Sequence, residues 1–586
     1  MEYRIVALML KWEVINMKHT THVIVAIFLG ILGVSACTHQ SQTPADTVLI
    51  HAGIYTVNTE EPRAQAIAIR EGKIVAVSSD KEVAAYQGAS TKIIDAKGHM
   101  VLPGFVDAHV HIMAGASQLE QVSLNDAKTL DDFQKLVKDY AAAHPEKKWV
   151  QGMGWYYSIF GNSGMPDKKF VDEVVSDRPV YLLAYDGHSS LANSKALEAA
   201  GITRKTPDPQ NGIIVRDPDT GEPTGVLKEA AGQLVAKVIP QPTYEEERDR
   251  LVKTIHYASS LGFTRLISAG TDAERVELFD EIRQKGELTT RLYMARFVNP
   301  PLTPDVIRIL EQNRDKYSDD WIDLGTAKFL LDGVIEAHTA AMLEPYEKDL
   351  GNRGNLYFGP EQYSESVARL NRLGFPVSTH AIGDRAIRLA LEASEAAGKG
   401  MDIRNRIEHI ECPNAQDIPR FGKLGVIASM QPLHTTPNEN NLNNWAGSVG
   451  PQRAQHAWPW HDILAGGAVL CFGSDWPVVT LNPWPAVQML LTRQTPEGTP
   501  AGGWIPDQRL SLEQAIRGYT MGGAFAAGRE KTEGSIEAGK LADLIILSQD
   551  LFKVDPAQIG DTKVLMTMVG GKVVYQDPSW EINSSD

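Results

Sequence analysis

Short apolar runs alternate along most of this chain with longer stretches in which apolar residues recur at three- and four-residue spacing. The short runs have the near-continuous hydrophobicity of strands buried on both faces, and the longer stretches have one apolar stripe, as an amphipathic helix does. Eight runs stand out: Gly104 to His111, Gly262 to Gly270, Thr290 to Phe297, Gly325 to Gly333, Phe375 to Gly383, Arg406 to Glu411, Gly425 to Pro432 and Ala468 to Asp475. Helical patterns such as Glu361 to Leu373 and Arg385 to Ala397 follow the later ones. Eight strand–helix units in order predict an α/β fold, a (β/α)₈ TIM-like barrel over residues 103–533. Residues 112 to about 245, between the first and second strands, are too many for a simple crossover and read as an inserted subdomain.

The pattern changes at both ends. Thr47-Val48-Leu49-Ile50 and Ile54-Tyr55-Thr56-Val57, separated by His51-Ala52-Gly53, read as a hairpin, and Ala66 to Val77 reads as a second one turning at Glu71-Gly72. Leu541 to Leu547, and Val564 to Tyr575 broken at Gly570-Gly571, are again strand-like. Matching ends predict one small β-sandwich domain built from residues 47–102 and 534–580. Residues 38–46 are short and polar, a tether.

Upstream, Met17-Lys18-His19 precedes an apolar run from Val23 to Val34 and then Ser35-Ala36-Cys37. A charged start, a greasy segment too short to span a bilayer and small residues at its end make a signal peptide over residues 1–37, with Met17 as its natural start. Leu32 to Cys37 resembles a bacterial lipobox, which implies lipidation at Cys37; an ordinary peptide cleaved after Ala36 is the alternative. Thr38, rather than aspartate, follows the cysteine. The expected location is therefore outside the cytoplasm, lipid-anchored to the outer membrane and facing the periplasm, with no other membrane contact.

Composition narrows the function classes. Of 586 residues, 43% are hydrophobic, enough for a large core, and the net charge of −16 argues against a nucleic-acid partner, which needs a basic face. Cys37, Cys412 and Cys471 make no disulfide framework, and the last two read as buried thiols. A homodimer is left open.

Candidate chemistry gathers at the C-terminal strand ends, where barrels keep their active sites. His109 and His111 end the first strand two residues apart, on one face, able to reach one ion. Lys328 lies inside the apolar fourth strand, where a charge is costly unless neutralised or paired, for instance with Asp332. His380, His409 and Asp475 end the fifth, sixth and eighth strands. Singly, each is more often a satisfied core residue; jointly they point to a functional site. Beside them, Glu336 and His338 just after strand four either touch substrate or are simply solvated, and Trp155 is a further candidate substrate contact. Trp155, Tyr156, Tyr157, Trp445, Trp458, Trp460, Trp476 and Trp484 crowd predicted loops and suggest a roomy, partly apolar pocket, with packing of the insertion as the plainer account.

From about residue 47 to 576 the chain resembles the metal-dependent amidohydrolase superfamily, amidohydrolase family 3, in the branch with N-substituted formamide deformylases. The resemblance is carried by Pro103 to His109, Lys328 to Gly333, His380-Ala381-Ile382-Gly383-Asp384 and Gly473-Ser474-Asp475. It implies one or two zinc ions, or another divalent metal. His109 and His111 would hold one and His380 and His409 the second, with Lys328, carboxylated by CO₂, as a bridge between them. It further implies hydrolysis of a C–N amide-type bond in a small N-acyl, N-formyl or related amide by metal-activated hydroxide. Asp475 would be both ligand and proton shuttle, and His188 a stabiliser of the tetrahedral oxyanion. Cyclic amide hydrolysis, deamination, ester hydrolysis and isomerisation share the scaffold, although the strand-four lysine disfavours deamination. A non-catalytic binding lipoprotein is the reading from another class.

Overall fold

The computed structural model describes residues 42–581, apart from 126, 158, 161–164, 186–188, 271, 348 and 399–402. The predicted signal peptide, the lipobox at Cys37 and the candidate His188 lie outside the described residues. Among those described, no helix is long and apolar enough to cross a membrane.

Eight parallel strands form one sheet: β1 (Phe105–Val110), β2 (Phe263–Ser268), β3 (Arg291–Phe297), β4 (Ile322–Leu330), β5 (Val377–Ala381), β6 (Arg406–His409), β7 (Ile427–Met430) and β8 (Leu470–Phe472). Each pairs with the next, in chain order. The seam between β8 and β1 is closed just beyond the strands, where Asp475 N donates to His109 O (2.7 Å) and His111 N to Trp476 O (2.9 Å). Gly473 sits at this seam because a Cβ there would lie 2.4 Å from His109 N. The fold is the α/β barrel expected. β4 begins three residues earlier than its apolar run, at Ile322, and ends at Leu330, so Asp332 lies on the loop rather than on the strand.

Helices that pack outside the barrel have their ends fixed locally. Tyr244–Ser260, which leads into β2, starts with a capping box in which Thr243 accepts from Glu246 N and the Glu246 side chain caps Thr243 N. Pro360–Arg372 and Asp384–Ala397 match the predicted helices and bury Val367 and Leu370, and Ile387 and Leu391, against the barrel.

The insertion carries its own six-stranded sheet, with Val122–Ser123, Val150–Trp155, Val180–Ala184, Ser189–Ala192, Pro223–Glu229 and Gly212–Arg216 in that spatial order. The chain ends form two facing sheets. Lys73–Ser78, Ala66–Arg70, Thr47–Ile50 and Lys92–Asp95 make one; Lys572–Gln576, Val564–Val569, Leu544–Leu547, Met100–Pro103, Gly53–Tyr55 and Arg63–Ala64 make the other. Leu49, Ile67 and Ile94 of the first pack against Val101, Leu544, Ile546 and Met566 of the second, so the expected sandwich from both ends is present. One predicted hairpin is corrected. Thr47–Ile50 pairs with Ala66–Arg70 and Lys92–Asp95, whereas Gly53–Tyr55 joins the other sheet. The His51-Ala52 link is therefore a crossing between layers.

Two buried ion pairs tie the barrel to the C-terminal part of the chain. Arg265 of β2 meets Glu533 at 2.6 Å, and Arg291 of β3 meets Asp543 at 2.8 Å. Both guanidinium groups also donate to Asp320 O.

Candidate active site

Strand alternation places Asp107 and His109 on one side of β1, Lys328 on the same side of β4 as Thr326, and Ser378 with His380 on β5. On β6, alternation would put Glu408 on the barrel interior and turn His409 away from it. The backbone overrides this: His409 has φ 75° and Ile410 φ 53°, and the left-handed turn brings the His409 ring to 4.9 Å from that of His109 and 4.5 Å from that of His380, centroid to centroid. Asp475 likewise has φ 59°. Left-handed backbone in non-glycine residues costs on the order of 1–3 kcal/mol each and persists only where the surroundings enforce it.

The supports are buried carboxylates. Asp107 accepts from Ser474 Oγ (2.6 Å), Ser474 N and His109 N, locking the Asp475 turn to β1. Asp272 accepts from Ile112 N and Met113 N, at the start of the helix whose N-cap is His111. Asp332 accepts from Ala341 N, Ile382 N and Gly383 N beside His380, whose Nε2 lies 3.3 Å from Gly333 O. Asp332 is spent on these amides and is no partner for Lys328.

Within this frame the imidazoles converge on Asp475. Its Oδ1 lies 3.5 Å from His109 Nε2 and 3.3 Å from His111 Nε2; its Oδ2 lies 4.0 Å from His409 Nδ1. The ligating atoms of His109, His409 and Asp475 all fall within 4.8 Å of one another. Two ligands about 2.1 Å from one tetrahedral zinc stand roughly 3.4 Å apart, so the spacings around Oδ1 suit a single ion. Two further observations fit a metal. His409 Nδ1 is buried with no hydrogen-bond partner among the described residues. His109 Nδ1 is engaged by Glu408 Oε2 at 2.7 Å, which leaves Nε2 as its free donor atom, the usual arrangement of a ligating histidine.

Electrostatics prepare the same set. Burial, with Lys328 nearby, pushes the His109 imidazolium down to about 4 and that of His380 to about 3; burial and the neighbouring histidines lower His409 as well. All three are neutral near pH 7, the form that binds metal. Burial alone would raise the Asp475 carboxyl, but His109, His111 and His434 together hold it well below the usual range. Lys328 is 2% exposed, and among the described residues it has no ion-pair partner; burial pushes it down to about 8.

Three residues of the site carry no role in the sequence reading. Glu408 orients His109, accepts from Ser378 Oγ (2.6 Å) and lies 2.7 Å from Arg406 Nε. His434, on the turn Pro432–Thr435 after β7, directs Nε2 at Asp475 Oδ2 (3.5 Å) and Nδ1 at Glu411 Oε1 (3.7 Å). Glu411 is in turn held by Trp445 Nε1 at 2.8 Å. His434 is a barrel-end histidine two residues past the predicted seventh strand, and that position was its only signal.

Several expected substrate contacts are corrected. Trp155 is fully buried in the core of the insertion, its indole N–H donating to Leu182 O, so it packs that subdomain. His338 stacks on Tyr346 at 4.4 Å, with Nε2 3.0 Å from Ser448 Oγ and Nδ1 facing Asp349, and braces its loop. Trp445, Trp458, Trp460, Trp476 and Trp484 are buried, and Trp445, Trp458 and Trp504 pack on one another, so packing rather than an open pocket accounts for these tryptophans. Tyr156 is exposed and stacks on Tyr185 at 4.7 Å. Glu336 is reachable by solvent yet hemmed in by protein. Burial and Glu411 raise its carboxyl to about 7, and Asn440 Nδ2 lies 3.5 Å from it.

Sequence and structure comparisons bear on this arrangement. The sequence profile of the Amidohydrolase family matches residues 92–575. Protein LONG AFTER FAR-RED 3 of Arabidopsis thaliana is 33% identical over 555 residues, covering 92% of this chain and 94% of its own length. An N-substituted formamide deformylase of Arthrobacter pascens is 28% identical over 546 residues, covering 91% and 98%. An uncharacterized metal-dependent hydrolase from Pyrococcus horikoshii superposes with a TM-score of 0.69 at 25% identity, covering 87% of this chain and 99% of that one.

Proposed function

The chain belongs to the amidohydrolase family of metal-dependent hydrolases, and from that premise we propose that it cleaves the C–N bond of a small amide, N-acyl or N-formyl compound. The observation that supports this most is the meeting of His109, His111 and His409 on the Asp475 carboxylate, with a buried, unpartnered imidazole nitrogen among them. These four would hold a zinc ion, and His380 and Lys328 beside them would seat a second. When bound, the metal supplies Lewis acidity to the scissile carbonyl and lowers the pKa of water toward about 7.

The chain's own groups do the rest. Glu408 keeps the His109 proton on Nδ1. Asp475 turns Oδ1 to the histidine pair, while Oδ2, on the side of His434, is open to take a proton from the attacking water and give it to the departing nitrogen. Lys328, buried with no ion-pair partner among the described residues and lowered to about 8, is partly a free amine near neutral pH; capture of CO₂ by that amine releases a proton and converts a buried cation into an anionic oxygen donor.

Elemental analysis, paired with hydrolysis of an N-formyl and N-acyl amide panel with and without bicarbonate, tests the reading. One to two zinc per chain, turnover of the panel, and loss of turnover in Asp475→Asn with at least one zinc retained are expected. A wild type that binds no metal after reconstitution with zinc and bicarbonate sinks it.

Export and anchoring through Cys37 are proposed from the leader sequence alone. Metabolic palmitate labelling of the full chain reads this directly, and label retained in Cys37→Ser refutes it.

A further inference from the structure

His434 is held on two sides and turns its third to Asp475. Its backbone N donates to Gln431 O (3.1 Å), its carbonyl accepts from Asn441 Nδ2 (2.7 Å), and its ring Nδ1 faces Glu411, itself pinned by Trp445. The ring lies parallel to that of His409 (4° between planes), but its centroid is 5.9 Å away, outside the group of ligating atoms formed by His109, His409 and Asp475. Nε2 is buried and makes no hydrogen bond among the described residues, although Asp475 Oδ2 stands 3.5 Å off.

A buried polar atom left unpartnered beside a catalytic carboxylate asks for a ligand atom. Asp475 Oδ2 faces Nε2, an acceptor that favours an N–H at that ring position. The same segment carries a second unspent group. The Gln431 side chain is 1% exposed, and neither its oxygen nor its nitrogen has a partner among the described residues. By alternation Gln431 shares the side of Ser429, which is in register with the interior residue Glu408.

We propose that the end of β7 is the oxygen-holding edge of the active site, with His434 Nε2–H donating to the substrate carbonyl oxygen and, more strongly, to the same oxygen as it becomes anionic. This rests on the hydrolase reading above and assigns the substrate a carbonyl whose oxygen is free of bulky substituents on that side. No covalent bond to His434 forms; it contributes one hydrogen bond that strengthens as charge develops, and such donors typically contribute a factor of about 10²–10³ in kcat.

The test uses the zinc-loaded full chain, His434→Leu, and His434→Gln, whose amide N–H reaches near the position of Nε2. On whichever panel amide the wild type turns over fastest, the leucine variant should lose about 100-fold or more in kcat, with KM within threefold and zinc content unchanged. The glutamine variant should recover at least tenfold. Loss of zinc in the leucine variant would make His434 a ligand and overturn the proposal, as would a kcat loss under tenfold or an effect confined to KM. Binding of methylphosphonate, a tetrahedral anion, against acetate provides an arm that needs no turnover. A preference for methylphosphonate at least tenfold greater in wild type than in His434→Leu supports the assignment, and equal preferences refute it. A wild type that binds zinc but hydrolyses nothing would end the amide reading alone and leave His434 to this second arm.

Discussion

Lys328 carries a burial penalty of its own among the site residues, because its ammonium is buried in a barrel strand with no ion-pair partner among the described residues. Burial lowers it from 10.5 to about 8. The folded state therefore binds fewer protons than the unfolded chain between those two pH values, so stability rises with pH across that window and the full penalty is present below it. That gap corresponds to on the order of 3 kcal/mol. Metal-free, bicarbonate-free Lys328→Met should accordingly be more stable than wild type by about that amount at pH 7, with the advantage fading between pH 8 and 10.5; urea melts at three pH values measure it. An advantage independent of pH would mean that packing, not charge, is responsible. Such residues were legible in the sequence because a lysine inside an apolar strand, or a histidine ending one, contradicts its surroundings. Glu408 was not, since one carboxylate on a strand end has no distinctive pattern. His409 was found by its position, while the reason it faces the site, a left-handed backbone at His409 and Ile410, leaves no mark in a two-residue alternation.

At the scale of elements, the site depends on the seam where β8 returns to β1. Gly473 lets that crossing approach closely enough for Asp475 N to reach His109 O, and Asp107 reaches across the same seam to Ser474. A methyl group at Gly473 would meet backbone rather than a flexible side chain, so the strands must part. Gly473→Ala should lose at least tenfold in zinc affinity while destabilising the fold by only about 1–3 kcal/mol, read by competitive chelation and by denaturant titration. Unchanged affinity would show that the ligands do not depend on this crossing. Element identity followed well from apolar runs: all eight barrel strands overlap their predicted segments. Pairing did not follow as well. Thr47–Ile50 and Gly53–Tyr55 looked like a hairpin because two short strands flanked a plausible turn, and nothing local says that they belong to facing layers. The loop tryptophans misled for a related reason. An aromatic loop residue lining a pocket and one packed against another loop have the same local sequence, and the difference lies in partners such as Trp504, far along the chain.

For the whole molecule, the Arg265–Glu533 and Arg291–Asp543 pairs act as rivets between the barrel and the segment that leads into the last strands. Removing one member of a buried pair strands the other charge and costs about 3–5 kcal/mol. Arg291→Met should lower stability by that amount, and Asp543→Asn added to it should restore part of the loss; a double variant no better than the single one would argue that the pair is electrostatically idle. These rivets act with the terminal sandwich, in which Met100–Pro103 lies directly between Gly53–Tyr55 and Leu544–Leu547. That arrangement has a consequence for the order of events during synthesis. Gly53–Tyr55 and Met100–Pro103 leave the ribosome before the barrel, yet the neighbour that extends their sheet is made only after all eight barrel strands have emerged. Met100–Pro103 must therefore wait, with one edge open, through the making of the barrel, until Leu544–Leu547 emerges to pair with it.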